Sequence, residues 1–226
     1  MKRTFLTLVI VFLSLTVRGA DIQKLVHDTQ RMTQDPSSYT LVWWIPAEFW
    51  DLVLQSNPKV TAEARMRLVN IMNDYLLFVV VSSDLGPLGG MSPKDRAAIE
   101  ANTTLSVGGE DVAPLTKETM SADALNFVTM MKPVMANMLG QFGQSMEFLV
   151  YPNPPKGAEK ISAVKSGGFS YTAFGHRYDW KLPIGSLLPP KIDEKTKQSF
   201  PGDYLFNPYT GEKLTDTSVQ GAKKPE

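Results

Sequence analysis

Cysteine is absent from all 226 residues. With it go disulfides, thiolate metal sites, cysteine nucleophiles and lipid anchors attached through sulfur. Histidine is almost absent too: His27 and His176 are the two in the chain, too few for a histidine-based metal cluster. No charge of one sign dominates, since 23 Lys and Arg face 23 Asp and Glu. A basic field that could hold nucleic acid is therefore missing. The chain also lacks the P-loop lysine, the G-x-G-x-x-G spacing and the G-x-S-x-G nucleophile elbow, so no nucleotide or acyl-transfer signature is present.

Long apolar runs are scarce. The first is Phe5–Val17, thirteen residues behind the charged start Lys2-Arg3. A spanning helix needs about 20 apolar residues, so this run suits the core of a secretory signal peptide instead. Gly19 and Ala20 supply small residues for cleavage, with cutting after Gly19 favoured because it places Val17, not Arg18, at the −3 position. Residues 1–20 are read as the signal. Their removal takes away Lys2, Arg3 and Arg18 and no acid, which leaves the mature chain mildly acidic. The next run, Tyr75–Val81, has seven residues, too few to span a bilayer. The expected product is soluble, periplasmic or extracellular, held by its core, with no integral membrane segment. The acceptor pattern Asn102-Thr103-Thr104 bears on this only in a eukaryotic secretory route.

What is present is the composition of a folded domain, 43% apolar with 16 Gly and 16 Pro. Ile22, Leu25, Val26, Thr29 and Met32 predict an amphipathic helix over 21–35, ended by Asp35-Pro36. Tyr39–Ile45 reads as a strand, and Pro46 pre-sets a helix over Ala47–Gln55. Ala64, Leu68 and Ile71 predict a second helix over Thr61–Asn73. Tyr75–Val81, rich in Val, fits a central strand covered on both faces. Ser92-Pro93-Lys94-Asp95 reads as a helix start with Ser92 as its cap. A hairpin around Gly108-Gly109, a long helix over Thr116–Leu139 with Pro133 inside it, and a strand at Met146–Tyr151 complete a body over 21–152. The fold class is α+β, a mixed β-sheet with packed helices.

At Pro152-Asn153-Pro154-Pro155 the style changes. Residues 153–226 read as a β-hairpin-rich extension with a flexible end. Tyr178, Trp180 and Leu182 alternate with Arg177, Asp179 and Lys181, and Phe169, Tyr171 and Ala173 supply the partner strand. An apolar face of that kind must cover the body's sheet or a partner.

Two segments of this tail repeat at a constant offset of fourteen: Asp193 with Asn207, Thr196 with Thr210, Gln198 with Glu212, Phe200 with Leu214. The second, Asn207-Pro208-Tyr209-Thr210-Gly211, resembles the turn of a zinc-ribbon knuckle, Cys-Pro-x-Cys-Gly. The resemblance covers about 22 residues and implies a pair of knuckles whose ligand positions are Asp193, Thr196, Asn207 and Thr210. Every thiolate is missing, and one carboxylate with an amide and two hydroxyls is an inadequate set for tetrahedral zinc. The expectation is a hairpin without metal whose turns are closed by Asx and Thr side chains.

Ligand chemistry has one well-placed loop. Ser82, Ser83, Asp84, Gly86, Gly89 and Gly90 leave a buried strand and run toward a helix start, where free N–H groups gather ligands in open sheets. They are the candidate ligand-binding residues. Met120, Met130, Met131, Met135 and Met138 could offer soft thioethers to Cu(I), although Ala124, Val128, Met131, Met135, Met138 and Phe142 share a helix face that also fits a pliable core. No nucleophile is tied by pattern to either His, and the pairs Glu110-Asp111 and Asp193-Glu194 sit in turns where solvation explains them. The sequence thus points to an exported accessory or binding protein with no catalytic centre, metal or cofactor of its own, acting on a protein or small ligand in that compartment. The alternatives are a small exported enzyme using the Gly-rich loop 82–91, and a Cu(I)-handling protein.

Overall fold

The Val-rich run forms the spine of the molecule. The computed structural model describes residues 19–88, 90–138 and 140–217; the apolar run 5–17 lies outside them. In chain order the elements are α1 (Gly19–Thr29), β1 (Gln30–Asp35), β2 (Ser38–Ile45), α2 (Ala47–Gln55), α3 (Ala62–Met72), β3 (Tyr75–Leu85), β4 (Met91–Pro93), α4 (Arg96–Ala101), β5 (Thr103–Val107) and β6 (Glu110–Val112). There follow α5 (Ala122–Met138), a 3-10 turn at Gly140–Ser145, β7 (Met146–Pro152), β8 (Gly167–Ala173), β9 (His176–Leu182), a 3-10 turn at Gly185–Leu187, and three short strands, β10 (Lys191–Ile192), β11 (Ser199–Phe200) and β12 (Thr215–Asp216). The fold is α+β. Every strand pairing among the described residues is antiparallel, so the parallel pairs that a mixed sheet would include do not occur there.

In the first sheet β3 pairs with β2 on one side and with β7 and β4 on the other, and β1 flanks β2. Because side chains alternate along a strand, Trp44, Phe78 and Leu149 fall on one face and Trp43, Val79 and Phe148 on the other. Both faces are buried, as a continuous apolar run requires. The Trp43 face is covered by helices through a chain of edge-on rings: Trp43 to Phe49 at 5.3 Å, Phe49 to Trp50 at 5.1 Å, Trp50 to Phe127 of α5 at 4.8 Å.

The Trp44 face meets the second sheet, whose order is β6-β5-β8-β9. Phe78 stacks on Tyr171 at 4.5 Å, Trp44 meets Phe169 at 4.9 Å, and Phe169 stacks on Trp180 at 5.2 Å. β8 pairs with β5 across the proline-rich turn, so residues from both sides of that turn share one sheet. Trp180 is 1% exposed; its indole N–H donates to the Thr29 carbonyl at 3.2 Å and Arg31 lies over its ring. Burying one such side chain contributes about 1.5–3 kcal/mol. The aromatic hairpin face is therefore docked on the body.

Several boundaries differ from expectation. The helix predicted over 21–35 stops at Thr29, and Gln30–Asp35 becomes an edge strand paired with Ser38–Trp43. Met32 alone continued the apolar stripe, and at 59% exposed it is not buried by either arrangement; pairing the open edge of β2 decides the outcome. The start of α4 is capped by Asp95, whose carboxylate accepts the Ala98 N–H at 2.8 Å, not by Ser92, which lies in β4. The long helix begins at Ala122 because Thr116 and Thr119 close a turn first. It continues through Pro133. Ala124 and Met135 are buried and Val128 and Met131 pack on the core, whereas Met130 is exposed; the side chains of Met138 and Phe142 lie outside the described residues.

The tail forms a small sheet of its own, ordered β11-β10-β12. Glycine seats it on the body: a Cβ on Gly185 would overlap the Asp203 carboxylate, and one on Gly202 would overlap Leu188 and the Pro189 carbonyl. The Gly202 N–H donates to the Gly185 carbonyl at 3.3 Å.

Candidate functional site

The Gly-rich loop does not converge. β3 extends to Leu85, so Ser82, Ser83 and Asp84 are consecutive strand residues pointing to alternate faces. Ser82 is buried against the Thr40 hydroxyl at 3.2 Å, and Ser83 lies 3.5 Å from the Ser145 hydroxyl on the other face. Asp84 is exposed and pairs with Lys94. Gly86 donates its N–H to the Gly90 carbonyl at 2.7 Å, closing a hairpin into β4. Gly89 lies outside the described residues. The Ser pair is buried in the sheet and the glycines close its turn, so the structure does not bring these residues to one point. Turn signals begin at Gly86; the strand's continuation from Ser82 is dictated by its neighbour, since Ser38, Tyr39 and Thr40 pair with Asp84, Ser83 and Ser82.

The remaining titratable groups are dispersed. His27 is exposed beside Asp28. His176 Nε2 donates to the Asp35 carboxylate at 3.0 Å, joining the tip of β8–β9 to the turn of β1–β2. The chain does contain a Ser-x-x-Lys spacing, which was expected to be absent: Ser162-Ala163-Val164-Lys165. It lies in a turn, and Ser162 donates to Glu48 at 3.2 Å. Tyr151 and Tyr171 share a hydroxyl contact of 3.1 Å between the sheets. Burial pushes the Tyr151 phenol up to about 12, partly offset by hydrogen bonds to Tyr171 and Thr103, and pushes Tyr171 well above its ordinary value. On the outer face of the second sheet an open trough of about 520 Å³ runs over Ser106, Gly168 and Ser170 between Arg177, Asp179 and Lys181. Among the described residues no helix is long and apolar enough to cross a membrane, and no group of three or more His, Asp or Glu is placed to hold a metal ion.

The tail holds the most ordered polar constellation. Asp193 Oδ1 accepts the N–H groups of Lys195 at 2.9 Å and Thr196 at 3.0 Å; Asn207 Oδ1 accepts those of Tyr209 at 2.9 Å and Thr210 at 3.4 Å. Lys197 donates to the Asp193 carbonyl and Gly211 to the Asn207 carbonyl, both at 2.8 Å. Gln198 donates to the Thr196 hydroxyl and Glu212 to the Thr210 hydroxyl, both at 3.4 Å. Among residues 191–217, Lys197 and Gly211 alone have positive φ, 60° and 73°. Each feature recurs at the offset of fourteen seen in the sequence. The turns are closed by Asx and Thr side chains, as the pattern predicted.

Between the two turns Asn207 Nδ2 donates to Asp193 Oδ2 at 2.5 Å. Asp193 and Asn207 are each 1% exposed, which corrects the reading of Asp193 as a solvated turn acid. The Asn207 amide first, and the Thr196 N–H second, hold the Asp193 carboxyl below its ordinary value. A Lys195–Glu212 ion pair closes the outside. The interior is thus a hydrogen-bonded amide–carboxylate pair.

The module also leaves large apolar side chains in water. Tyr204 is 40% exposed, Leu205 65%, Phe206 56% and Tyr209 85%. These residues fall within six positions of one another. No pattern in the sequence marks Tyr204-Leu205-Phe206, which fall outside every expected strand. No family model, curated protein or solved structure matches the chain.

Proposed function

We propose that the chain is an exported, soluble accessory or binding protein without a catalytic centre of its own, and that the paired knuckles are the face it presents. Export is supported by Lys2-Arg3 followed by the thirteen-residue run Phe5–Val17. The observation that carries the binding role is the exposure of Leu205, Phe206 and Tyr209 on a hydrogen-bonded scaffold. Three large apolar side chains left in water on an ordered turn mark an interaction site. The periplasm or the external medium is the compartment, and a component of that compartment is the partner.

Native fractionation of the exported compartment tests this reading. The wild-type protein should travel with a larger assembly, protein or membrane. The triple variant Leu205→Ser/Phe206→Ser/Tyr209→Ser should travel as a free chain with an unchanged melting temperature. Wild type and variant both travelling free would remove the binding role. N-terminal sequencing of the exported form should return Ala20 or Asp21; Met1 would remove the export argument.

A further inference from the structure

Resting on that reading, we propose that the knuckle tip is a membrane foot: Tyr204, Leu205, Phe206 and Tyr209 dip into the interfacial region of a lipid bilayer. The first argument is size. The exposed parts of these side chains amount to roughly 500 Å², well short of the about 800 Å² per partner that a stable protein interface needs. A bilayer sets no such minimum, because each apolar side chain partitions separately.

The second argument is the backbone. Entry into an apolar medium is costly for any unpaired N–H, and turns normally present several. Here the N–H groups of Lys195, Thr196, Tyr209 and Thr210 are held by Asx oxygens, those of Lys197 and Gly211 by carbonyls, and those of Gln198 and Glu212 by Thr hydroxyls. Leu214 donates to the Leu205 carbonyl at 3.0 Å and Tyr204 to the Pro201 carbonyl at 3.1 Å. The N–H groups of both turns carry their own hydrogen-bond partners.

Composition is the third argument. Phe and Leu supply apolar depth and two Tyr supply rings with a polar end, the pairing suited to a headgroup boundary. Exposed Lys213, paired with Phe206, flanks them, with a stem that can lie along the apolar surface while the ammonium stays in water.

Vesicle flotation tests the proposal with the protein isolated from the exported fraction, using phosphatidylcholine vesicles with and without phosphatidylglycerol. Wild type should float with both, and the triple serine variant should lose at least tenfold in bound fraction with an unchanged melting temperature. Lys213→Glu should lower binding several-fold on the phosphatidylglycerol vesicles and leave the others unaffected. Wild type that stays unbound, or a triple variant that floats equally well, would overturn the foot. If vesicles are ignored while native fractionation still shows a knuckle-dependent protein assembly, the bilayer is the wrong occupant and the accessory role stands. If the variant changes neither measurement, both fail.

Discussion

The sandwich and the knuckle module are held by opposite means within one chain. Between the two sheets Trp44, Phe78, Tyr151, Phe169, Tyr171 and Trp180 interlock as edge-on and stacked rings, and burial supplies the energy. Among its described residues the module has only Phe200 and Leu214 as buried apolar side chains, and its strands are two residues long. It is held by side-chain to backbone hydrogen bonds repeated twice. A chain without cysteine thus builds one compact region from apolar area and another from Asx chemistry. The first resists loss of a bond and suffers from loss of volume; the second does the reverse.

The largest effect should come from volume in the sandwich. Trp180→Ala removes the ring stacked on Phe169 and the hydrogen bond to Thr29. It should destabilise the whole protein by about 3–5 kcal/mol in one cooperative thermal transition. A separate early transition that leaves the rest intact would show that β8 and β9 fold apart from the body. Next comes alkali. A phenol whose pKa is raised on folding contributes fully below its unfolded value of about 10, and that contribution is lost as pH rises through the folded value of about 12 for Tyr151. Stability measured by denaturant should therefore fall steadily from pH 10 upward, with buried tyrosinate absorbance appearing only on unfolding. Tyr171→Phe, which removes one of the two buried phenols, should flatten that fall.

Burial explains why the sandwich was legible in the sequence and its edges were not. Tyr75–Val81 and the alternation of Tyr178, Trp180 and Leu182 state their own burial, and each became a strand, the first running four residues beyond Val81. β1 has no such signature, because Gln30–Asp35 is paired on one side and half exposed. Ser82 and Ser83 look like loop residues by type and are strand residues by pairing. The repeated Asx turns were legible for a different reason: an offset of fourteen between like residues survives whatever the surroundings are. The apolar tip was missed because exposure is a property of the fold, and no spacing encodes it.

A smaller effect separates the module from the sandwich. Asn207→Ala removes the donor to Asp193 and the Asx acceptor of the second turn. Hydrogen-exchange protection of residues 195–198 and 209–212 should fall on the order of tenfold, while the global melting temperature stays put. Acid should act in the same place. Asp193 has a carboxyl pKa below its ordinary value, so its contribution is complete above the unfolded value and disappears as pH falls through the folded one. Protection in the module should be lost below the usual carboxylate range, before the aromatic sandwich opens. Simultaneous opening would mean that the two regions are one cooperative unit.

The smallest effect lies between the two knuckles themselves. Lys197 and Gly211 occupy equivalent positions with φ of 60° and 73°, yet only one is glycine. A side chain in the left-handed region costs about 1 kcal/mol, and a Cβ at Gly211 would meet nothing within 4 Å, so the cost there is purely conformational. Gly211→Ala should therefore weaken the second turn by about 1 kcal/mol. Lys197→Gly should strengthen the first by about 0.5 kcal/mol, less than the full strain because glycine also gives the unfolded chain more freedom. Opposite signs at the two positions, read from local hydrogen exchange, are the signature of a repeated turn with one strained copy. Equal signs would mean that Lys197 is held by its surroundings and not by the turn, and that the two knuckles are alike in outline only.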